Sequence, residues 1–199
     1  MQEIVPGAFH WTARHRGIGM DVSSYYLERS GALIDPMLPA EGISWFQDRP
    51  PELIVLTIRH HYRDSGPFVE ECGIEVWCHE DGLHEFEDRP PVRGFKGGDE
   101  LAPGITVLPM NAISPDDVVL GIELDGGALA FGDGLVHYGG GRIGFVPDGL
   151  IGEDPESVKS ATRAATERLL DRDFEHLFFG HGDPIVAEGR RRLEQFLQN

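Results

Sequence analysis

The sequence is short of basic charge, of cysteine and of long apolar runs, and each shortage excludes something. Lysine and arginine together number 17 against 34 aspartates and glutamates, giving a formal net charge of −17 with histidines neutral. Such a surface repels phosphate backbones and anionic lipid, so neither nucleic acid nor a membrane is an expected partner. The one basic cluster, Arg190-Arg191-Arg192, spreads around a helical turn and reads as a solvated helix face. Cys72 and Cys78 form no CxxC pair and are too few for a disulfide framework. The N-terminus "MQEIVPGAFHW" lacks the basic region and apolar stretch of a secretory signal. Both features favour a cytoplasmic location. No segment approaches the ~20 apolar residues that cross a bilayer. There is no Gly-x-Ser-x-Gly elbow, and neither cysteine has a clear histidine partner, which leaves nucleophilic catalysis with little support. "GGGRIG", Gly139 to Gly144, matches a dinucleotide fingerprint by letter, but "FVPDGL" follows it where a helix would have to start. This glycine-rich stretch reads instead as a mobile loop over a cleft.

What is present suits a globular α/β chain. The 199 residues are 40% hydrophobic and 26% charged, enough for one domain, 1–199, with a substantial core. With 26 glycines and 14 prolines, many short elements joined by turns are expected. "SYYLER" and "GALIDP" read as strands across a turn at Ser30-Gly31, and "PAEGISWFQDRPP" as a short helix. "ELIVLT" is a continuous apolar run, hence a strand buried on both faces. "GPFVEECG" reads as a helix closed by Gly73, "IEVWCH" as a strand. "ITVLPM", "VVLGIEL" and "GALAFGD" follow as strands, the last two joined at Asp125-Gly126-Gly127. Near the C-terminus Asp154 caps a helix with Pro155 in its first turn and an apolar face of Val158, Ala161, Ala165 and Leu169. "HLFFGHG" is a last strand and "RRRLEQFLQN" a last helix. The order implies a layered α/β or α+β domain with helices outside sheet.

Three apolar strands end in metal-ligand residue types. "IVLT" runs into "IRHHYRD" with His60, His61 and Asp64, "ALAFGD" ends at Asp133, and "LFFGH" ends at His181. Strand ends on one edge of a layered sheet converge, and His with Asp suits Zn, Fe or Mn.

Four ordered pieces, "GALIDP" ending at Asp35, "IVLTIRHHYRDSG", "LAFGDGL" and "FFGHGDPI", resemble the metallo-β-lactamase superfamily. The resemblance implies a four-layer αββα sandwich and descent from metal-dependent hydrolases. Carried over by position, Thr57 matches the threonine before the first ligand, Ile58 stands where the first histidine belongs, and His60 matches the second. The Asp-His pair that follows falls on Tyr62 and Arg63 without a gap, or on Asp64 and Ser65 with two residues inserted. The central histidine slot falls on Asn111 or Ala112. Asp133 matches the bridging aspartate and His181 the final histidine. The resemblance therefore implies a degraded centre with His60, Asp64, Asp133 and His181 as metal ligands, Asp64 and Asp133 as catalytic carboxylates, and no organic cofactor.

A catalytic zinc takes about three protein ligands and an open position. The expectation is a single Zn, Fe or Mn ion, or none. With one ion, the chain is a hydrolase of a small ester, thioester or amide, uncharged or cationic. With none, it is a non-catalytic protein binding a small molecule in the former metal cleft, the polar residues pairing with each other. Arg59 or Arg63, turned inward, would supply the charge of a missing ion. Pairing of two copies through exposed apolar surface is left open.

Overall fold

The computed structural model describes residues 1–88 and 91–199. The first half of the chain builds a seven-stranded sheet in sequential order: β1 (Gln2–Val5), β2 (Ala8–His15), β3 (Met20–Leu27), β4 (Ala32–Ile34), β5 (Leu53–Val55), β6 (Glu75–His79) and β7 (Val92–Phe95). Strands β1 to β4 are antiparallel, and β4 through β7 are parallel. Helix α1 (Ser65–Cys72) makes the crossover from β5 to β6 and ends at Gly73, as read, in the left-handed conformation. The second half adds β8 (Glu100–Ala102), β9 (Ile105–Pro109), β10 (Val118–Ile122) and β11 (Ala128–Phe131), then a hairpin of β12 (Val136–His137) and β13 (Ile143–Gly144). Helix α2 (Pro155–Leu169), β14 (His176–Phe179) and α3 (Gly189–Gln198) complete it, and the second sheet runs β14-β11-β10-β9-β8.

Side chains alternate across each strand, so a strand apolar on both faces packs two layers at once. Leu53 and Val55 of β5, Val118 and Leu120 of β10, and Phe178 of β14 point between the sheets. Ile54 and Leu56 point the other way, onto Phe46 and Phe68 of the α1 layer. Val119, Leu129, Leu177 and Phe179 point outward onto Ala165, Leu169, Leu193 and Phe196 of α2 and α3. The order helix, sheet, sheet, helix is the layered α/β arrangement that the element order implied and the four-layer αββα sandwich that the resemblance implied.

Two readings change. On α2, Asp154 caps as expected, its Oδ1 accepting from Ser157 N at 3.1 Å, but Ala161 is exposed. Thr162 and Thr166 face the core instead, each hydroxyl donating to the carbonyl four residues back, Val158 O at 2.9 Å and Thr162 O at 2.8 Å. That bond satisfies a threonine inside a helix and makes it usable as core. The glycine-rich stretch after His137 folds into the β12–β13 hairpin, held by Tyr138 Oη donating to Phe145 O at 2.6 Å. No helix among the described residues is long and apolar enough to cross a membrane.

One tie between the sheets fixes the register that matters for function. Tyr25 of β3 stacks on Phe178 at 4.8 Å between centroids. Its buried hydroxyl donates to Phe179 O at 3.0 Å and accepts from Phe179 N at 2.9 Å. The end of β14 is thereby pinned to the first sheet two residues before His181.

Candidate metal centre

The C-terminal ends of β4, β5, β11 and β14 and the start of β10 meet on one edge of the sandwich. Because β11 and β14 run parallel with Phe131 opposite Phe179, the residues two further on, Asp133 and His181, emerge side by side. His181 Nε2 lies 3.1 Å from Asp133 Oδ1. From the first sheet His61 Nε2 reaches the same oxygen, also at 3.1 Å. These three ligand atoms lie within 4.8 Å of one another and form the one group of three or more metal-ligand residues among the described residues.

His61, not His60, enters the cluster, and the local backbone explains why. After β5 the chain stays extended through Ile58 and then turns into a 3₁₀ helix, Arg59–Tyr62, closed by His61 N donating to Ile58 O at 3.0 Å. Three residues per turn place Ile58 and His61 on one inward face. Both are buried, whereas His60 turns outward, exposed on the wall of the cleft. Asp64 also stands outside the cluster. It lies past the turn, where its Oδ2 accepts from Leu38 N at 2.9 Å. Ligand assignment by alignment assumes an unbroken strand-end geometry, and the 3₁₀ turn shifts the register by one.

Asp35, quoted in the sequence only as the end of a strand, proves to be the orienting carboxylate. Its Oδ2 accepts from Thr57 Oγ1 at 2.6 Å and pairs with His61 Nδ1 at 2.8 Å, while its Oδ1 accepts from Thr57 N at 2.9 Å. A carboxylate on Nδ1 fixes the ring and directs Nε2 forward to Asp133. Glycines make room for this arrangement. A Cβ on Gly132 would sit 2.5 Å from Thr57 Oγ1, and one on Gly180 2.9 Å from His61 Cε1. The recurring Phe-Gly before Asp133 and before His181 was the sequence signal for that close approach.

The two arginines part company. Arg59 turns away into an ion pair with Asp116. Arg63 reaches the cleft floor, donating to Ser23 O at 2.6 Å, Asp35 O at 2.8 Å and Gly180 O at 3.1 Å. Its backbone and that of Asp35 hold positive φ, 45° and 47°. Such strain in non-glycine residues is tolerated where the surroundings enforce it.

Electrostatics follow the geometry. Burial and Arg63 both push the His61 pKa down, but Asp35 and Asp133 outweigh them and carry it up to about 9. Burial works to raise Asp133, yet the two imidazoles hold it well below the carboxylate range. Asp35 is lowered too, against its burial, by His61, Arg63 and Thr57. Behind them Asp117 is fully buried, and burial with Asp133 and Asp116 nearby raises it well above 3.8. A second polar pair, His10 Nε2 and Ser23 Oγ at 2.9 Å, is structural, since the buried Ser23 hydroxyl donates to Gly182 O at 2.8 Å.

Asp133 Oδ1 itself is shut off from solvent, with two ring nitrogens 3.1 Å away. Ligands on a tetrahedral zinc, each ~2.1 Å from the ion, lie roughly 3.3–3.4 Å apart. Two of the three spacings are 3.1 Å and the three atoms lie within 4.8 Å of one another, and two imidazoles with one carboxylate is a donor set for Zn, Fe or Mn. The residues fit one such ion.

No protein-family model matches this chain, and no curated protein matches it. Solved structures do. The DIM-1 metallo-beta-lactamase is similar with a TM-score of 0.74 at 16% identity, over 99% of this chain and 95% of that one. A metallo-beta-lactamase family protein from Thermus thermophilus is similar with a TM-score of 0.68 at 20% identity, over 98% of this chain and 80% of that one. A protein solved in a di-iron-bound form is similar with a TM-score of 0.69 at 26% identity, over 92% of this chain and 98% of that one.

Proposed function

From the metallo-β-lactamase fold that this chain adopts, and from the cluster at its strand ends, we propose that the protein is a hydrolase of small esters, thioesters or amides working with a single metal ion. His61, Asp133 and His181 would hold the ion. The observation that carries this reading is the gathering of three ligand atoms: His61 Nε2 and His181 Nε2 each stand 3.1 Å from the buried Asp133 Oδ1, and all three lie within 4.8 Å of one another. Two imidazoles and a carboxylate held together in this way are a donor set for one divalent ion.

When bound, a divalent ion supplies Lewis-acid polarisation of a carbonyl and acidifies water. The chain's own residues do the rest. Asp35 holds His61 in the tautomer that bares Nε2 toward Asp133, which keeps that nitrogen available. Arg63 ties the two sheets together, the middle of β3 through Ser23 O, the end of β4 through Asp35 O and the end of β14 through Gly180 O, and so holds the cluster rigid. Its guanidinium brings a fixed positive charge to the cleft beside the cluster, which supports a count of one ion. His60, exposed on the cleft wall beside His61, is the imidazole placed to pass a proton to a leaving group.

One observation favours the alternative, a non-catalytic small-molecule binder. His61 raised to about 9 between two carboxylates is a charged network that stands without an ion. Elemental analysis separates the two, on protein purified without chelator and without a nickel column. The hydrolase reading expects about one equivalent of Zn, Fe or Mn, absent in His181→Ala, with hydrolysis of 4-nitrophenyl acetate abolished by chelator and restored by the ion. Folded wild-type protein that takes up no ion, even from a tenfold excess, would leave only the binder.

A further inference from the structure

The cleft above the cluster has a volume of 520 Å³, within the range that holds a drug-sized ligand. Around the cluster and His60 the lining is mostly apolar: the tip of the β2–β3 hairpin gives Ile18, Met20 and Val22, and the chain after Asp133 gives Val136, Tyr138 and Leu150. Water-facing apolar side chains are concentrated there. Of the six large hydrophobic residues exposed among the described residues, four line this cleft: Ile18, Met20, Tyr138 and Leu150. Leu150 is 73% exposed and Ile18 55%. Scattered exposed apolar residues need no explanation, but a contiguous set around a pocket marks a binding site.

Charge narrows the occupant. On a chain of net charge −17, Asp133 is the one acidic residue lining the cleft, and it belongs to the cluster. The remaining ionisable groups on the lining are His15, His60, His61, His181 and Arg63. A cationic substrate would meet Arg63 and find no free carboxylate, and an anionic one would approach a chain of net charge −17 and find the Arg63 Nη1 and Nη2 donors already on three backbone carbonyls. Resting on the hydrolase reading for its chemistry, we infer that the substrate is a neutral acyl compound with an extended apolar arm. Its carbonyl lies at His61, Asp133 and His181, and its arm lies between the hairpin tip and Leu150. Cleavage adds water across the acyl bond, the hydroxyl joining the carbonyl carbon and the proton leaving with the alcohol, thiol or amine. No other reactant is required.

Each methylene buried along those walls multiplies kcat/KM by about two- to fourfold. The experiment pairs kinetics with binding. Hydrolysis of 4-nitrophenyl esters from acetate to octanoate is measured on the metal-loaded protein. Binding of 2-decanone, a neutral carbonyl with an alkyl arm that cannot be hydrolysed, is measured by calorimetry on metal-loaded and metal-free protein, with acetone for comparison. The expected result is an octanoate-to-acetate ratio of kcat/KM above about sixty and 2-decanone binding at least about a hundredfold tighter than acetone. Leu150→Asp and Ile18→Asp, both at exposed positions, each lower the octanoate-to-acetate ratio and weaken 2-decanone at least tenfold. Val186→Asp, exposed elsewhere, changes neither. A flat chain-length profile with one equivalent of metal bound overturns the inference and leaves the hydrolase reading standing. Tight 2-decanone binding with no metal bound does the reverse. A dimer that Leu150→Asp dissociates, with no binding of 2-decanone, overturns the inference by assigning the patch to a second copy of the chain.

Discussion

In protein stripped of metal, the stability is expected to fall as pH rises from 6.5 to 9, and a saturating bound ion is expected to abolish that slope. His61 carries a proton between Asp35 and Asp133, with Nδ1 2.8 Å from one and Nε2 3.1 Å from the other. Its folded pKa of about 9 exceeds the unfolded value of 6.5. A group raised on folding contributes in full below its unfolded pKa and loses the contribution as pH rises through its folded one. At ~1.4 kcal/mol per unit the contribution is about 3 kcal/mol, and most of it disappears between pH 6.5 and 9. For a chain of this size that corresponds to a melting temperature lower by roughly 5–10 °C. Asp117, raised by burial, also costs stability as pH rises, so the His61 share is the part of the decline that His61→Gln removes; the other groups act outside the window. Burial lowers His10 to about 4, so His10 costs stability only below 6.5 and acts in the opposite direction there. Burial raises the Cys78 thiol to about 12, so its effect starts only as the unfolded thiol ionises, near 8.5–9. Asp35 and Asp133, both lowered, contribute throughout the window and lose their share only in acid. An ion must displace the His61 proton, so its apparent affinity rises about tenfold per pH unit up to about 9, with one proton released per ion. The assay is thermal unfolding across pH 6–9.5 with chelator and with zinc, beside His61→Gln. A metal-free melting temperature constant within 2 °C from 6.5 to 9, or the same decline in His61→Gln, would refute the reasoning.

Three further outcomes are expected. Tyr25→Phe strands both Phe179 N and Phe179 O in the core and should cost about 2–4 kcal/mol by urea unfolding; a loss below 0.5 kcal/mol would mean the hydroxyl does not tie the sheets. Gly180→Ala places a methyl 2.9 Å from His61 Cε1, so metal binding should weaken at least tenfold while circular dichroism stays that of the wild type; unchanged affinity would show that the ring is not held against Gly180. Asp117 is raised on folding and is an acid, so it costs stability increasingly as pH rises above its unfolded pKa of about 3.9. Metal-free Asp117→Asn should therefore gain stability relative to the wild type on going from pH 4 to pH 8, and an equal difference at both pH values would contradict a neutral Asp117.

Much of the fold was legible in the chain because period and punctuation are local. "ELIVLT", "VVLGIEL" and "HLFFG" are apolar at almost every position, and such runs fit only strands covered on both faces. The N-terminal pair β1–β2 and the edge strands β7 and β8 gave no such run. Their partly exposed, mixed sequences, "QEIV" and "VRGF" among them, become strands by pairing with neighbours. The site was half legible. Asp133 and His181 follow directly from strands whose ends they mark. His61 did not, because choosing it over His60 depends on a 3₁₀ turn whose only sequence trace is two adjacent histidines.

By itself the sequence determined the layers and the chemistry available at their edge: which strands are buried twice, and that His and Asp stand at their ends. Tertiary structure decided which of those side chains meet. Asp35 is 26 residues from His61, and Tyr25 is 154 from Phe179. The reason is that side-chain direction at a strand end is set by how the chain turns and by what the facing sheet leaves open. Those distances close only when both sheets are packed.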